Sequence, residues 1–121
     1  MKMSKKELTN YKENLTKIIE SIDFSEIKNL SEKILKIWNE KRKLFICGNG
    51  GSAGNAIHIA NDMIYGIGNG KIPGLDVEAL SANASVITCL ANDTGYENIY
   101  SKQIEAKGRK GDLLICLSGS G

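Results

Sequence analysis

The chain has 121 residues, a net charge of +2, 41% hydrophobic and 25% charged residues, the balance of one globular domain and not of a disordered or fibrous segment. No apolar run approaches the ~18 residues of a membrane span, and the N-terminal stretch MKMSKKELTNYKENL has no apolar core to serve as a signal peptide. Charge is uneven: residues 1–43 carry 11 Lys/Arg against 7 Asp/Glu, and residues 44–121 carry 5 against 7. A basic helical segment could touch nucleic acid or acidic lipid, but lysines opposite an apolar stripe equally describe a solvated helix surface. Nothing here resembles a nucleic-acid motif, so neither nucleic acid nor membrane is expected as a partner. Cys47, Cys89 and Cys116 stand in apolar contexts without CxxC spacing and read as small core residues of a reduced, cytoplasmic protein.

In chain order, Leu8, Tyr11, Leu15, Ile18, Ile19 and Ile22 trace one helical face through residues 5–22. Asp23 and Ser25 are caps for a second helix over 25–40 that carries Ile27, Leu30, Ile34, Leu35, Ile37 and Trp38. The spacing thus predicts a helical hairpin over 1–42, ahead of βα units over 43–121. The sheet can cover one of the two stripes, and a partner subunit is the natural cover for the other. Leu44-Phe45-Ile46-Cys47 is a buried parallel strand by composition. Glycines then break all regular preference, and from Ser52 the residues Ala56, Ile57, Ile59, Ala60, Met63 and Ile64 recur at helical spacing.

A breaker-rich loop follows over 66–74, then a weak strand at Val77–Leu80 and a short helix over 85–90. Asn92-Asp93-Thr94-Gly95 reads as a turn, residues 97–107 as a helix and Leu113–Leu117 as a third strand. Alternating strands and helices predict an α/β fold with a parallel sheet and right-handed crossovers. A parallel sheet needs both faces covered, and no helix follows the third strand. The chain therefore reads as the N-terminal part of a longer α/β domain whose C-terminal part is missing.

Strand, glycine loop and helix in that order are the general form of an anion site. CGNGGSA is neither GxGxxG nor a P-loop, and a tight turn alone would account for its glycines. A second polar glycine loop, Ser118-Gly119-Ser120-Gly121, also follows a buried strand. Ligands of open α/β sheets bind at the carboxyl ends of strands, so the two loops together point to a small anionic ligand. His58 and Asp62 are four apart on one helix, a spacing that suits two metal ligands or an acid/base pair and equally an ordinary surface pair.

The stretches CGNGGSAGNAIHIAND, ANDTGYENIYSKQIEAKGRKGDLL and LSGSG resemble the sugar isomerase (SIS) fold, a three-layer, flavodoxin-like α/β architecture. Within it they resemble the sedoheptulose 7-phosphate isomerase (phosphoheptose isomerase) family, from about Lys43 to Gly121. The resemblance implies a cytoplasmic homotetramer that interconverts a ketose phosphate and an aldose phosphate for bacterial surface-sugar synthesis. It places Asn49, Gly50 and Gly51 along the sugar site with Ser52 nearby, Asn92 and Asp93 on sugar hydroxyls, and Ser118, Gly119 and Ser120 on the phosphate. It makes His58 a zinc ligand and puts Asp62 where the family has a glutamate that is both metal ligand and proton carrier.

Three departures accompany it. Asp62 is one methylene shorter than that glutamate, the second loop reads SGS where STS is usual, and the 66–74 loop lacks an arginine. The family's remaining site residues, a glutamine and a histidine on a late helix, have no counterpart up to Gly121. Two other classes stay open at this point: a non-catalytic SIS adaptor resembling the DnaA initiator-associating protein, and a sugar-phosphate sensing module.

Overall fold

The computed structural model describes residues 4–119. The chain divides into two compact units, Met1–Ser31 and Glu32–Gly121. The first holds α1 (Lys5–Glu20) and the start of α2 (Phe24–Asn39). Ser4 caps α1 through a reciprocal box: its hydroxyl accepts from the Glu7 N–H, and the Glu7 carboxylate accepts from the Ser4 N–H. Those hydrogen bonds hold the Glu7 carboxyl below its ordinary range. The Asp23 carboxylate accepts from the Ser25 N–H at the start of α2. No described residue of α1 is buried, and Leu8, Tyr11, Leu15, Ile18 and Ile19 are all exposed, as are Phe24, Ile27 and Leu30 of α2.

The second unit is a three-stranded parallel sheet in the order β2-β1-β3, from β1 (Leu44–Gly48), β2 (Val77–Ala79) and β3 (Leu113–Leu117). Leu44 pairs in register with Val77 on one side and Leu113 on the other. β1 is buried along its whole length, which is why its sequence is an unbroken apolar run. On one face Leu44 and Ile46 pack with Ala56 and Ala60 of α3 (Gly51–Asn61) and with Ile37 of α2, flanked by Ile34, Trp38, Ile59 and Met63. On the other face Phe45, Cys47 and Leu80 meet Tyr100 and Ile104, the latter on α5 (Ser101–Lys107). Helices on both faces of a parallel sheet are the expected three layers. Buried Gln103 ties α5 to the end of β2 by donating to the carbonyls of Leu80 and Ile99.

The structure corrects three details. Residues 84–94 form one helix, α4 (Ala84–Thr94), so Asn92 and Asp93 lie in its last turn and not in a loop. Asn83 caps α4 by accepting from the Val86 N–H, and the apolar run Val86-Ile87 and Leu90-Ala91 carries the helix past the expected stop. The 97–107 helix is in fact a 3₁₀ turn at Tyr96–Asn98 followed by α5. Of the three cysteines only Cys47 is buried. Cys116 shares with Leu114 the face of edge strand β3 that no described helix covers, and both are exposed. No helix among the described residues is long and apolar enough to cross a membrane.

Candidate functional site

In the order β2-β1-β3 the connection from β1 runs first to one side and the third strand then pairs on the other. The crevice beyond the carboxyl ends of β1 and β3 is therefore the topological switch point, where ligands of open α/β sheets bind. The first glycine loop and the start of the second, Ser118-Gly119, leave the sheet side by side there. Gly48 stands in register with Leu117, so Asn49-Gly50 leaves one strand beside Ser118-Gly119 leaving the next. Ser120 lies outside the described residues.

The local sequence explains the shape of the first loop. A Cβ on Gly48 would come within 2.7 Å of the Ser52 Cβ and 2.9 Å of the Leu117 carbonyl oxygen, so glycine is required there for close approach of strand, helix and neighbouring strand. Gly50 is required for its backbone, at φ 54° and ψ −122°, a conformation that side-chain-bearing residues avoid. α3 starts at Gly51 with no side-chain cap, and its positive end opens onto the crevice. Ser81 at the end of β2 donates to the Ala53 carbonyl and ties that first turn to the sheet.

His58 and Asp62 lie further along the same helix, with His58 about 10 Å down the axis from Gly51 at the α-helical rise. Their Nε2 and Oδ2 atoms are 3.5 Å apart and both side chains are more than half exposed. At Asp62 the helix changes pitch: Asp62–Gly66 is a π turn, with the Ile67 N–H donating to the Asp62 carbonyl. Such turns recur at functional positions in helices.

Asn92 donates to Asp93 Oδ1 at 2.8 Å, and the Cys89 thiol donates to Asp93 Oδ2 at 3.5 Å. That hydrogen bond and the carboxylate's charge push the Cys89 thiol above its ordinary pKa. These contacts of Asn92 and Asp93 are all within α4. The link from this region to the loop is made instead by residues that the sequence reading did not single out. The Tyr96 hydroxyl donates to Asn49 Oδ1 at 3.0 Å, and the Tyr100 hydroxyl donates to the Gly48 carbonyl while lying 3.3 Å from the same Asn49 oxygen. The available signal was GYENIY itself, two tyrosines four apart just after Asn92-Asp93, but its target is about fifty positions upstream.

For zinc, the donor geometry is compatible. A tetrahedral site with bonds near 2.0–2.1 Å separates its donor atoms by about 3.3 Å, close to the 3.5 Å between His58 and Asp62. Among the described residues no third His, Cys, Asp or Glu joins them, so they fit as two ligands of a set.

Residues 10–121 match the family described as SIS domain, and the chain belongs to that family. Among curated relatives, it is 40% identical to phosphoheptose isomerase 2 of Campylobacter jejuni over 78% of this chain and 47% of that one. It is 39% identical to the phosphoheptose isomerase of Helicobacter pylori strain P12 over 96% of this chain and 59% of that one. The chain spans about half the length of the curated relatives it matches. Among solved structures, phosphoheptose isomerase from Neisseria gonorrhoeae superposes with a TM-score of 0.79 at 32% identity, over 92% of this chain and 58% of that one. A phosphoheptose isomerase from Francisella tularensis gives 0.87 at 24% identity, over 97% and 62%, a likeness of fold.

Proposed function

We propose that the whole protein is a phosphosugar isomerase that interconverts sedoheptulose 7-phosphate and D-glycero-D-manno-heptose 7-phosphate, in the cytoplasm, for bacterial surface-heptose synthesis. The supporting observation is the agreement of relatives and geometry. Proteins about 40% identical to this chain carry the name phosphoheptose isomerase, and the first glycine loop leaves β1 beside Ser118-Gly119 at the β1–β3 switch point, with His58 and Asp62 further along the helix that follows. That agreement favours an enzyme over an adaptor or a sensor.

Ketose–aldose isomerisation moves a proton between adjacent carbons through an enediol. In this reading Ser118, Gly119 and Ser120 hold the phosphate, with α3's uncapped N-terminus adding a favourable field. Asn49, Gly50, Gly51 and Ser52 line the sugar, and Asn92 and Asp93 bind its hydroxyls. The phosphate is remote from the reacting carbons, so its binding energy serves to fix their orientation. The Asp62 carboxylate takes the proton from one carbon and returns it to the next. His58 and Asp62 would hold a zinc ion, which when bound supplies Lewis-acid stabilisation of charge on the carbonyl oxygen.

The protein works as a homo-oligomer, a tetramer by the same resemblance, with the exposed apolar faces of α1 and α2 at its centre. The test is to incubate the purified full-length protein with sedoheptulose 7-phosphate and follow the aldose product by NMR, alongside metal analysis. Turnover that falls on chelation and returns with zinc is the expected result. A full-length protein that binds the sugar phosphate and never converts it would overturn the isomerase reading in favour of a sensor.

A further inference from the structure

We propose that Tyr96 and Tyr100 lock the Asn49 side chain so that it acts as a hydrogen-bond donor, through Nδ2, to an oxygen of the bound sugar phosphate. The ligand class rests on the isomerase reading; the lock itself rests on geometry alone. A carboxamide offers one acceptor oxygen with two lone pairs and one nitrogen with two N–H donors. At Asn49 the oxygen is taken: Tyr96 donates to Oδ1 at 3.0 Å, and the Tyr100 hydroxyl sits 3.3 Å away on the same atom. Tyr100 has a single proton and its shorter contact is to the Gly48 carbonyl, so Tyr96 is the hydroxyl that chiefly holds Oδ1. Turning the amide over would cost the Tyr96 hydroxyl this acceptor. The two N–H groups of Nδ2 have no protein partner among the described residues, and the side chain is exposed at the strand end. Asn49 therefore presents donors to the crevice, next to the uncapped start of α3.

The proton on which this depends is secure. Burial, with Tyr96 and Cys47 close by, raises the Tyr100 hydroxyl above its ordinary pKa even though its bond to the Gly48 carbonyl works the other way. The two phenols, four residues apart, converge on one atom. A 3₁₀ turn at Tyr96–Asn98 precedes α5, and Tyr100 is partly buried against Phe45 and Cys47. Asn49 is held from behind as well, between buried Gly48 and Gly50 at positive φ. A free asparagine would have to be ordered when the ligand binds. One that is already fixed avoids that cost and meets developing negative charge without reorganising. Tyr96 and Tyr100 are thus positioning residues, and Asn49 is the group that touches ligand.

The experiment uses the full-length protein with Tyr96→Phe, Tyr100→Phe, both together, Asn49→Ala and Asn49→Asp. Each is measured for kcat and KM with sedoheptulose 7-phosphate and for thermal stability, and the Asn49 side-chain NH₂ signals are followed in ¹⁵N–¹H spectra with and without the sugar phosphate. The double tyrosine variant should lose about tenfold or more in kcat/KM, and that loss should vanish in an Asn49→Ala background, the non-additivity of groups acting through one another. Asn49→Asp keeps an acceptor for the tyrosines and removes the donors, so it should lose at least as much as Asn49→Ala. The Asn49 NH₂ signals should shift on ligand binding in the wild type, and should already be displaced in the tyrosine variants without ligand. Tyrosine variants that lower the melting temperature while their kinetic losses simply multiply with Asn49→Ala would overturn the lock. NH₂ signals indifferent to saturating sugar phosphate would overturn the donor role. Absence of turnover in the wild type would defeat the isomerase reading, and the ligand-free spectra of the tyrosine variants would still decide the lock.

Discussion

Cys47 and Cys116 face each other across β1 and β3, in register, with their sulfur atoms 3.6 Å apart. Burial, with the neighbouring Cys116 thiol adding to it, pushes Cys47 up to about 11. At about pH 8 a thiol of that pKa is only about one part in a thousand thiolate. Iodoacetamide should therefore leave Cys47 unlabelled in the folded protein while exposed Cys89 reacts, as read by peptide mass spectrometry. Because the folded-state pKa lies above the ordinary value of 9.0, the stability that this thiol contributes is fully present below about pH 9 and lost as pH rises toward 11. Asp93→Ala should speed labelling of Cys89, since it removes the carboxylate that raises that thiol.

The two glycines that bracket Asn49 should fail for different reasons. Gly48→Ala drives a methyl group against Ser52 and the Leu117 carbonyl and should cost about 1–3 kcal/mol, the range for overpacking. Gly50→Ala meets no atom within 4 Å and should cost about 1–3 kcal/mol through its positive φ alone. Ser52→Gly should recover part of the first loss and none of the second, as measured by urea denaturation.

Asp112 accepts from the Lys43 N–H at 3.0 Å and the Arg109 N–H at 2.8 Å, joining the start of β1 to the turn before β3. Those bonds, the one from Lys43 foremost, hold its carboxyl below the ordinary range. A depressed folded-state pKa contributes stability above the unfolded value near 4, and that stability is lost as pH falls through the folded value. Asp112→Ala should cost about 1–2 kcal/mol at neutral pH and flatten the decline of stability below about pH 4.

Asp62→Glu restores the length of acid that the phosphoheptose isomerase resemblance leads one to expect beside His58. Because an ångström of misplacement can cost about a hundredfold in rate, this substitution should raise kcat of the full-length protein. A fall in kcat would mean that the π turn at Asp62–Gly66 has fitted the pocket to the shorter acid, pointing to a different sugar.

The exposed apolar faces carry the expectation of an oligomer. Leu15, Ile27 and Leu35 are 46%, 49% and 54% exposed, and Leu15→Glu or Leu35→Glu should dissociate the assembly in light scattering without unfolding the chain. Ile34 is unsuitable as a probe because it packs against the sheet's core. A wild-type protein that remains a monodisperse monomer at micromolar concentration would contradict the expected assembly.

The order of elements, the buried central strand and the two glycine loops were legible in the sequence, because each is written in neighbouring residues. Leu44-Phe45-Ile46-Cys47 has no polar face, Ala56 and Ala60 repeat at helical spacing, and the glycines of Gly48-Asn49-Gly50-Gly51 mark the break between them. The i,i+4 pairing of His58 and Asp62 was legible for the same reason. Contacts that join distant parts of the chain were decided only by the tertiary structure. Tyr96 and Tyr100 reach Asn49 across 47 and 51 positions, and Asp112 caps the Lys43 N–H across 69. Which cysteine is buried depended on where β3 falls at the sheet edge, and no local pattern of a strand states its neighbours. A side chain's periodicity names the face it occupies, but its partner is set by how the sheet and helices stack.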